Sequence, residues 1–169
     1  IAGYASLASS TDQRSDGGSL AFPLLGLFGE TGSLLSEVKK KQRDRASYLG
    51  YASAVVEELG DVLWYVTAVA SRGGLRLEEI FASPTQTGAA TFASLQPAIM
   101  PHQDAPNAAF ERTLLQLASE VGVLLADQHE ERLGQGDLLA DRLRSITRSL
   151  VEAATEAGVT LEAAAVKNL

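Results

Sequence analysis

Cysteine is absent from this 169-residue chain, which rules out disulfides, thiolate zinc sites and cysteine nucleophiles and leaves no sign of an oxidising compartment. Basic residues are the minority: 14 Lys and Arg stand against 21 Asp and Glu, a formal net charge of −7. A nucleic-acid backbone or an anionic membrane surface is therefore a poor partner, and any anionic ligand needs local cationic help. The longest apolar stretch, Leu20 to Phe28, is interrupted by Pro23 and Gly26 and falls far short of the roughly 20 residues that span a bilayer. No basic segment followed by an apolar one stands at the start, so no signal peptide is expected, and the cytoplasm is the expected location. No glycine-rich phosphate loop is present. The two histidines, His102 and His129, have neither triad partners nor metal-ligand spacing and belong to the solvated surface.

Apolar residues make up 46% of the chain and aromatics only 6%. An interior of Ala and Leu with few aromatic or β-branched residues favours helices over sheets, so the expected class is all-α. The length allows one compact domain, or two small units sharing a core.

Apolar positions recur at helical spacing from about Leu20 to Lys41 (Leu24, Leu27, Leu34, Leu35, Val38), and again from Ala54 to the stop at Gly73-Gly74. These two helices should pack antiparallel. Leu77 to Ile80 predicts a short third helix ended by the Ser83-Pro84 step. Residues 84–106, with Pro84, Pro97, Pro101 and Pro106, read as a connector with room for one short helix. Beyond it, Phe110 to His129 and Leu138 to Ala157 predict two more helices, separated by a break at Gly134 to Gly136 and stopped at Gly158.

The pattern thus comes round twice. Leu24, Leu25, Leu27, Glu30, Gly32, Leu34 and Leu35 match Leu114, Leu115, Leu117, Glu120, Gly122, Leu124 and Leu125, every pair 90 positions apart. Gly74, Leu77 and Glu78 match Gly158, Leu161 and Glu162 at an offset of 84, and Tyr4-Ala-Ser-Leu7 is echoed by Phe92-Ala-Ser-Leu95. Matching glycines and glutamates, as well as leucines, favour an internal duplication over chance agreement between Leu-rich helices.

Only the first copy keeps an acidic cluster. Glu30 and Glu37, seven apart, share one helix face, and Glu58 and Asp61, three apart, share a face of the next helix. On antiparallel neighbours these carboxylates can converge, and like charges gathered this way call for a divalent cation, Mg²⁺ or Mn²⁺, whose remaining positions suit phosphate oxygens. The competing reading is four solvated surface acids. It is weakened by the apolar residues on either side: Leu27, Phe28 and Leu34 around Glu30, and Leu59, Val62, Leu63 and Trp64 around Asp61.

The segment Gly26-Leu-Phe-Gly-Glu30-Thr-Gly-Ser33-Leu-Leu-Ser-Glu37-Val-Lys-Lys40, followed by Glu57-Glu58-Leu-Gly-Asp61-Val-Leu-Trp-Tyr65, resembles the MazG-type all-α nucleotide pyrophosphohydrolases. So do Leu75 to Ile80 and the closing stretch Leu161 to Asn168. The resemblance implies Mg²⁺-dependent cleavage of a nucleoside triphosphate to the monophosphate and pyrophosphate. It places Glu30, Glu58 and Asp61 as catalytic metal ligands, while Ser33 stands where the family has a second Glu. Ser33 can still ligate through its hydroxyl or a water, and Glu37, one turn further along the same helix, is the candidate fourth ligand that supplies the missing charge. Lys39, Lys40 and Tyr65 fall where substrate contacts are expected; an exposed helix end explains the lysines equally well, and a core position the tyrosine. Lys167 and Asn168 match the family's Lys-Asn ending and are expected to reach substrate phosphate or sugar.

In the second copy Val123 stands opposite Ser33, and Arg142 and Ser145 take the places of Glu58 and Asp61. Single-unit relatives pair as dimers, so the expectation is two tandem repeats packed as a pseudo-dimer: residues 1–83 with the metal cluster, connector 84–106, and a degenerate repeat 107–169. The partner is a small-molecule nucleotide, with no nucleic acid and no membrane, and further association into a homo-oligomer is left open. The reading from another class is a catalytically silent relative that binds nucleotides or a protein.

Overall fold

The structure, a computed structural model, describes residues 1–12, 18–82, 89–134 and 137–169. Among them every regular element is helical: α1 (Ala2–Thr11), α2 (Ala21–Asp44), α3 (Tyr51–Arg72), α4 (Leu77–Phe81), α5 (Phe92–Leu95), α6 (Ala108–His129), α7 (Leu138–Ala157) and α8 (Leu161–Asn168), with a 3-10 turn at Arg45–Ser47. The chain is all-α. The predicted stop at Ser83-Pro84, the start of the connector and Gly136 lie outside the described residues. No helix among the described residues is long and apolar enough to cross a membrane.

Local chemistry accounts for the boundaries. Pro23 falls in the first turn of α2, where its missing N–H has no intrahelical partner to lose. Gly74 and Gly158 both take φ of +70°, a conformation that costs glycine least. Behind each, the chain closes the same cap: Leu75 N–H bonds Ala70 carbonyl and Val159 N–H bonds Ala154 carbonyl, both at 2.9 Å. Asn107 and Thr160 cap α6 and α8 through their side chains.

Helices α2 and α3 run antiparallel, as the spacing predicts, and α6 and α7 pair likewise by close packing. The shorter helices cross over: α4 packs on α7, α8 packs on α3, and α2 meets α6. Leu27 and Leu34 of α2, Leu59, Val62 and Leu63 of α3, Leu117, Val121 and Leu124 of α6, and Leu143, Ile146 and Leu150 of α7 have no exposed surface and belong to one continuous core. Full burial of such a side chain is worth roughly 1.5–3 kcal/mol, and because the core runs through both halves, neither closes its interior alone.

Helix α1 is absent from the sequence prediction. It is made mostly of small residues and buries only Tyr4 and Ala8, too few positions for a periodic signal. Tertiary contacts hold it instead: the Trp64 indole N–H donates to Thr11 Oγ1 at 2.9 Å, and Arg72 clasps both carboxylate oxygens of Asp12 at 2.9–3.0 Å.

Candidate metal centre

Glu30 projects from α2 toward Glu58 and Asp61, which lie one turn apart on α3. The leucines on either side of these acids turn into the core and so force the intervening carboxylates into the seam between the helices. One carboxylate oxygen from each acid lies within 4.8 Å of the other two. All three residues are half-buried, and Oε2 of Glu58 is shut off from water with no hydrogen-bond partner.

The electrostatics follow from that crowding. Burial, and then the charges of Glu30, Asp61, Glu37 and Glu57, push the Glu58 carboxyl up to about 7. Burial and then Asp61 also raise Glu30, against hydrogen bonds it shares with Ser33 and Glu58. Asp61 is raised by burial, while the bond from Asn168 acts in the opposite direction. A divalent cation would relieve the crowding of all three at once. The donor set is carboxylate oxygen alone, without imidazole or thiolate, and this fits Mg²⁺ or Mn²⁺.

Other predicted residues sit at differing distances from this cluster. Asn168, from α8, donates its Nδ2 to Asp61 Oδ1 at 2.5 Å. Glu37 stands outside the group of three: it accepts a hydrogen bond from the Tyr48 hydroxyl and lies 3.7 Å from the Lys40 ammonium, which rests 4.0 Å from the Tyr48 ring centre. Lys39 and Lys167 are exposed. Ser33 is half-buried and bonds Glu30, supplying no charge.

Tyr65 is half-buried one turn beyond Asp61. Its ring lies against the backbone of α2 at Gly26, where an added Cβ would come within 1.9 Å of the ring. Phe22 and Trp64 meet it edge-on at 6.0 and 4.9 Å. The result is an aromatic wall next to the acids, with Gly26 making room for it.

Among the described residues of the second half no such cluster occurs. Glu120, 90 positions after Glu30, accepts hydrogen bonds from Ser145 at 2.9 Å, Ser149 at 2.8 Å and Gln116 at 2.8 Å. Arg142, 84 positions after Glu58, donates to Asp127 at 2.5 Å, and Arg132 donates to the other oxygen at 2.5 Å. Those bonds, Arg142 first, hold the Asp127 carboxyl below its ordinary value. Glu120 and Asp127 thus both already have donors.

Sequence reasoning missed Asp127, Tyr48 and Tyr4. Asp127 lies 90 positions after Glu37, so the repeat offset was a usable signal for it. For Tyr48 no signal exists, because it meets Glu37 only through the turn between α2 and α3. Both histidines are exposed, as predicted.

No curated protein and no solved structure matches the chain. Residues 22–86, which contain nearly all of α2, the whole of α3 and all three clustered carboxylates, match the model of the MazG nucleotide pyrophosphohydrolase domain.

Proposed function

We infer that this chain is an Mg²⁺-dependent nucleotide pyrophosphohydrolase, with Mn²⁺ able to substitute, that cleaves a nucleoside triphosphate to the monophosphate and pyrophosphate. The observation that carries this reading is the convergence of Glu30, Glu58 and Asp61, one of which, Glu58, also keeps a buried oxygen with no partner. The domain match supports a hydrolase of this family.

Glu30, Glu58 and Asp61 would hold the cation. When bound, it supplies charge neutralisation for the phosphates and acidifies a water for attack. The chain's own part is preorganisation: α2 and α3 fix the three carboxylates, and Glu58, protonated in part near neutrality, gives up its proton on loading. Tyr65, with Phe22 beside it, offers the nucleotide base an apolar face, and Lys40, whose ammonium lies 3.7 Å from Glu37, offers a positive charge to substrate phosphate.

The second half acts as scaffold. The crossed packing of α4 on α7 and α8 on α3, together with the 90- and 84-residue offsets, supports a fused pseudo-dimer in which one half keeps the site and the other lends α8 to it.

Incubating the protein with Mg²⁺ and a panel of nucleoside triphosphates, with Asp61→Ala as control, should release pyrophosphate from at least one of them. Release that persists in Asp61→Ala, or none with any nucleotide, rejects the enzymatic reading. A second reading has one specific observation in its favour: Ser33 puts a neutral hydroxyl beside Glu30 where the family pattern has a carboxylate. On that reading the chain binds the metal and nucleotide without turnover, and calorimetry would detect binding where no pyrophosphate appears.

A further inference from the structure

Asp61 is held from outside the matched domain. Its Oδ1 accepts from Asn168 of α8, and Asn168 Oδ1 in turn accepts from the Tyr4 hydroxyl of α1 at 3.5 Å. Helices from both ends of the sequence therefore meet the cluster in a single line of hydrogen bonds. A carboxamide has a donor end and an acceptor end. A hydroxyl that donates to Oδ1 leaves only Nδ2 to face Asp61.

Three further observations bear on the hydroxyl. Tyr4 is 7% exposed, and burial, followed by the charge of Asp61, raises its phenol, so it remains a donor. Its ring packs edge-on against Phe92 at 5.8 Å. Phe92 is also the residue that replaces tyrosine in the repeated tetrapeptide. The ring persists in both copies, but the hydroxyl occurs only in the copy that keeps its carboxylates, so packing does not explain it.

We propose that Tyr4 is a positioning residue of the metal centre: its hydroxyl fixes the Asn168 amide with the NH₂ toward Asp61 and thereby aims the Asp61 carboxylate into the cluster. This rests on the metal reading above. Partners outside the ligand shell orient ligands and tune their affinity for the ion.

The test is a double-mutant cycle on Mn²⁺ affinity, measured by calorimetry with the metal alone. Tyr4→Phe keeps the ring and removes one hydroxyl, and it should weaken Mn²⁺ binding roughly tenfold, the lower end for outer-shell partners. In an Asn168→Ala background the same change should cost nothing more, because the hydroxyl acts through the amide. Wild-type affinity in Tyr4→Phe, or equal losses in both backgrounds, overturns the proposal. The side-chain amide signals of Asn168 in the metal-free protein give a readout that needs no cation: Tyr4→Phe should shift them, and unchanged signals overturn the relay. A wild-type chain that takes up no Mn²⁺ but whose Asn168 signals move with Tyr4→Phe keeps the relay and rejects the metal reading instead.

Discussion

Asn168 donates its side-chain amide to Asp61 across 107 residues of sequence, at 2.5 Å. The contact depends on how closely α8 approaches α3, and Gly60, next to Asp61, sets that approach: an added Cβ there would stand 2.5 Å from the Ala164 carbonyl oxygen and 3.0 Å from Asn168 Cβ. Backbone cannot yield as a flexible side chain can. Gly60→Ala should therefore lift α8, costing roughly 1–3 kcal/mol of stability as overpacking does, and should weaken Mn²⁺ binding as Asn168 is drawn away. Chemical denaturation with calorimetry checks both, and a variant with wild-type stability and affinity would show that Gly60 does not control the contact.

The metal-free protein should lose stability as pH rises. Glu58 titrates at about 7 in the folded chain against an ordinary value of 4.5. Between those values the unfolded chain has already released the proton that the folded chain keeps, so stability falls with rising pH across the window and levels off above it. Glu30 and Asp61 are shifted in the same direction. The lowered carboxyls, Asp44, Glu78 and Asp127, act only at more acidic pH. The thermal midpoint should be higher at about pH 5.5 than at about pH 7.5 without metal, and Glu58→Gln should flatten the difference. Saturating Mg²⁺ should restore the midpoint at the higher pH and release protons as it binds. A flat profile in the wild type would contradict the raised Glu58.

Ser33→Glu adds a fourth carboxylate one turn from Glu30. With no cation present it should lower the thermal midpoint, because like charge is added to an already crowded seam. With Mg²⁺ the order should reverse, and affinity should rise roughly tenfold, since it follows the ligand charge count. If pyrophosphate release appears only in Ser33→Glu, the wild-type chain is the silent relative.

Asp127 should matter for the fold and not for the site. Its side chain is 1% exposed and carries Arg132 and Arg142, so Asp127→Asn strips two cations of their shared partner. The thermal midpoint should drop by several degrees while Mn²⁺ affinity per folded molecule holds. A loss of Mn²⁺ affinity at unchanged stability would assign the second half a direct part in binding.

Much of the fold was legible because helical periodicity is a local property. The long helices α2, α3, α6 and α7 announce themselves through leucine and valine spacing, and Gly74 and Gly158 mark positions where only a left-handed residue continues the chain. Glu30, Glu58 and Asp61 could be singled out because acids flanked by core leucines are out of place unless something neutralises them. Helix α1 stayed hidden because it is held by Trp64 and Arg72 of another helix, not by a pattern of its own.

The sequence alone thus determined the all-helical class, the identity and spacing of the clustered acids, and the presence of Arg142 and Ser145, not carboxylates, 84 positions after Glu58 and Asp61, all of which are written in residue types and intervals. Tertiary structure alone decided that Glu37 turns to Tyr48 and Lys40 and leaves the cluster at three, and that α8 crosses to bring Asn168 onto Asp61. Spacing along a chain says which residues share a helix face, but which faces meet depends on how closely two backbones approach, and here that closeness is set by a missing side chain at Gly60.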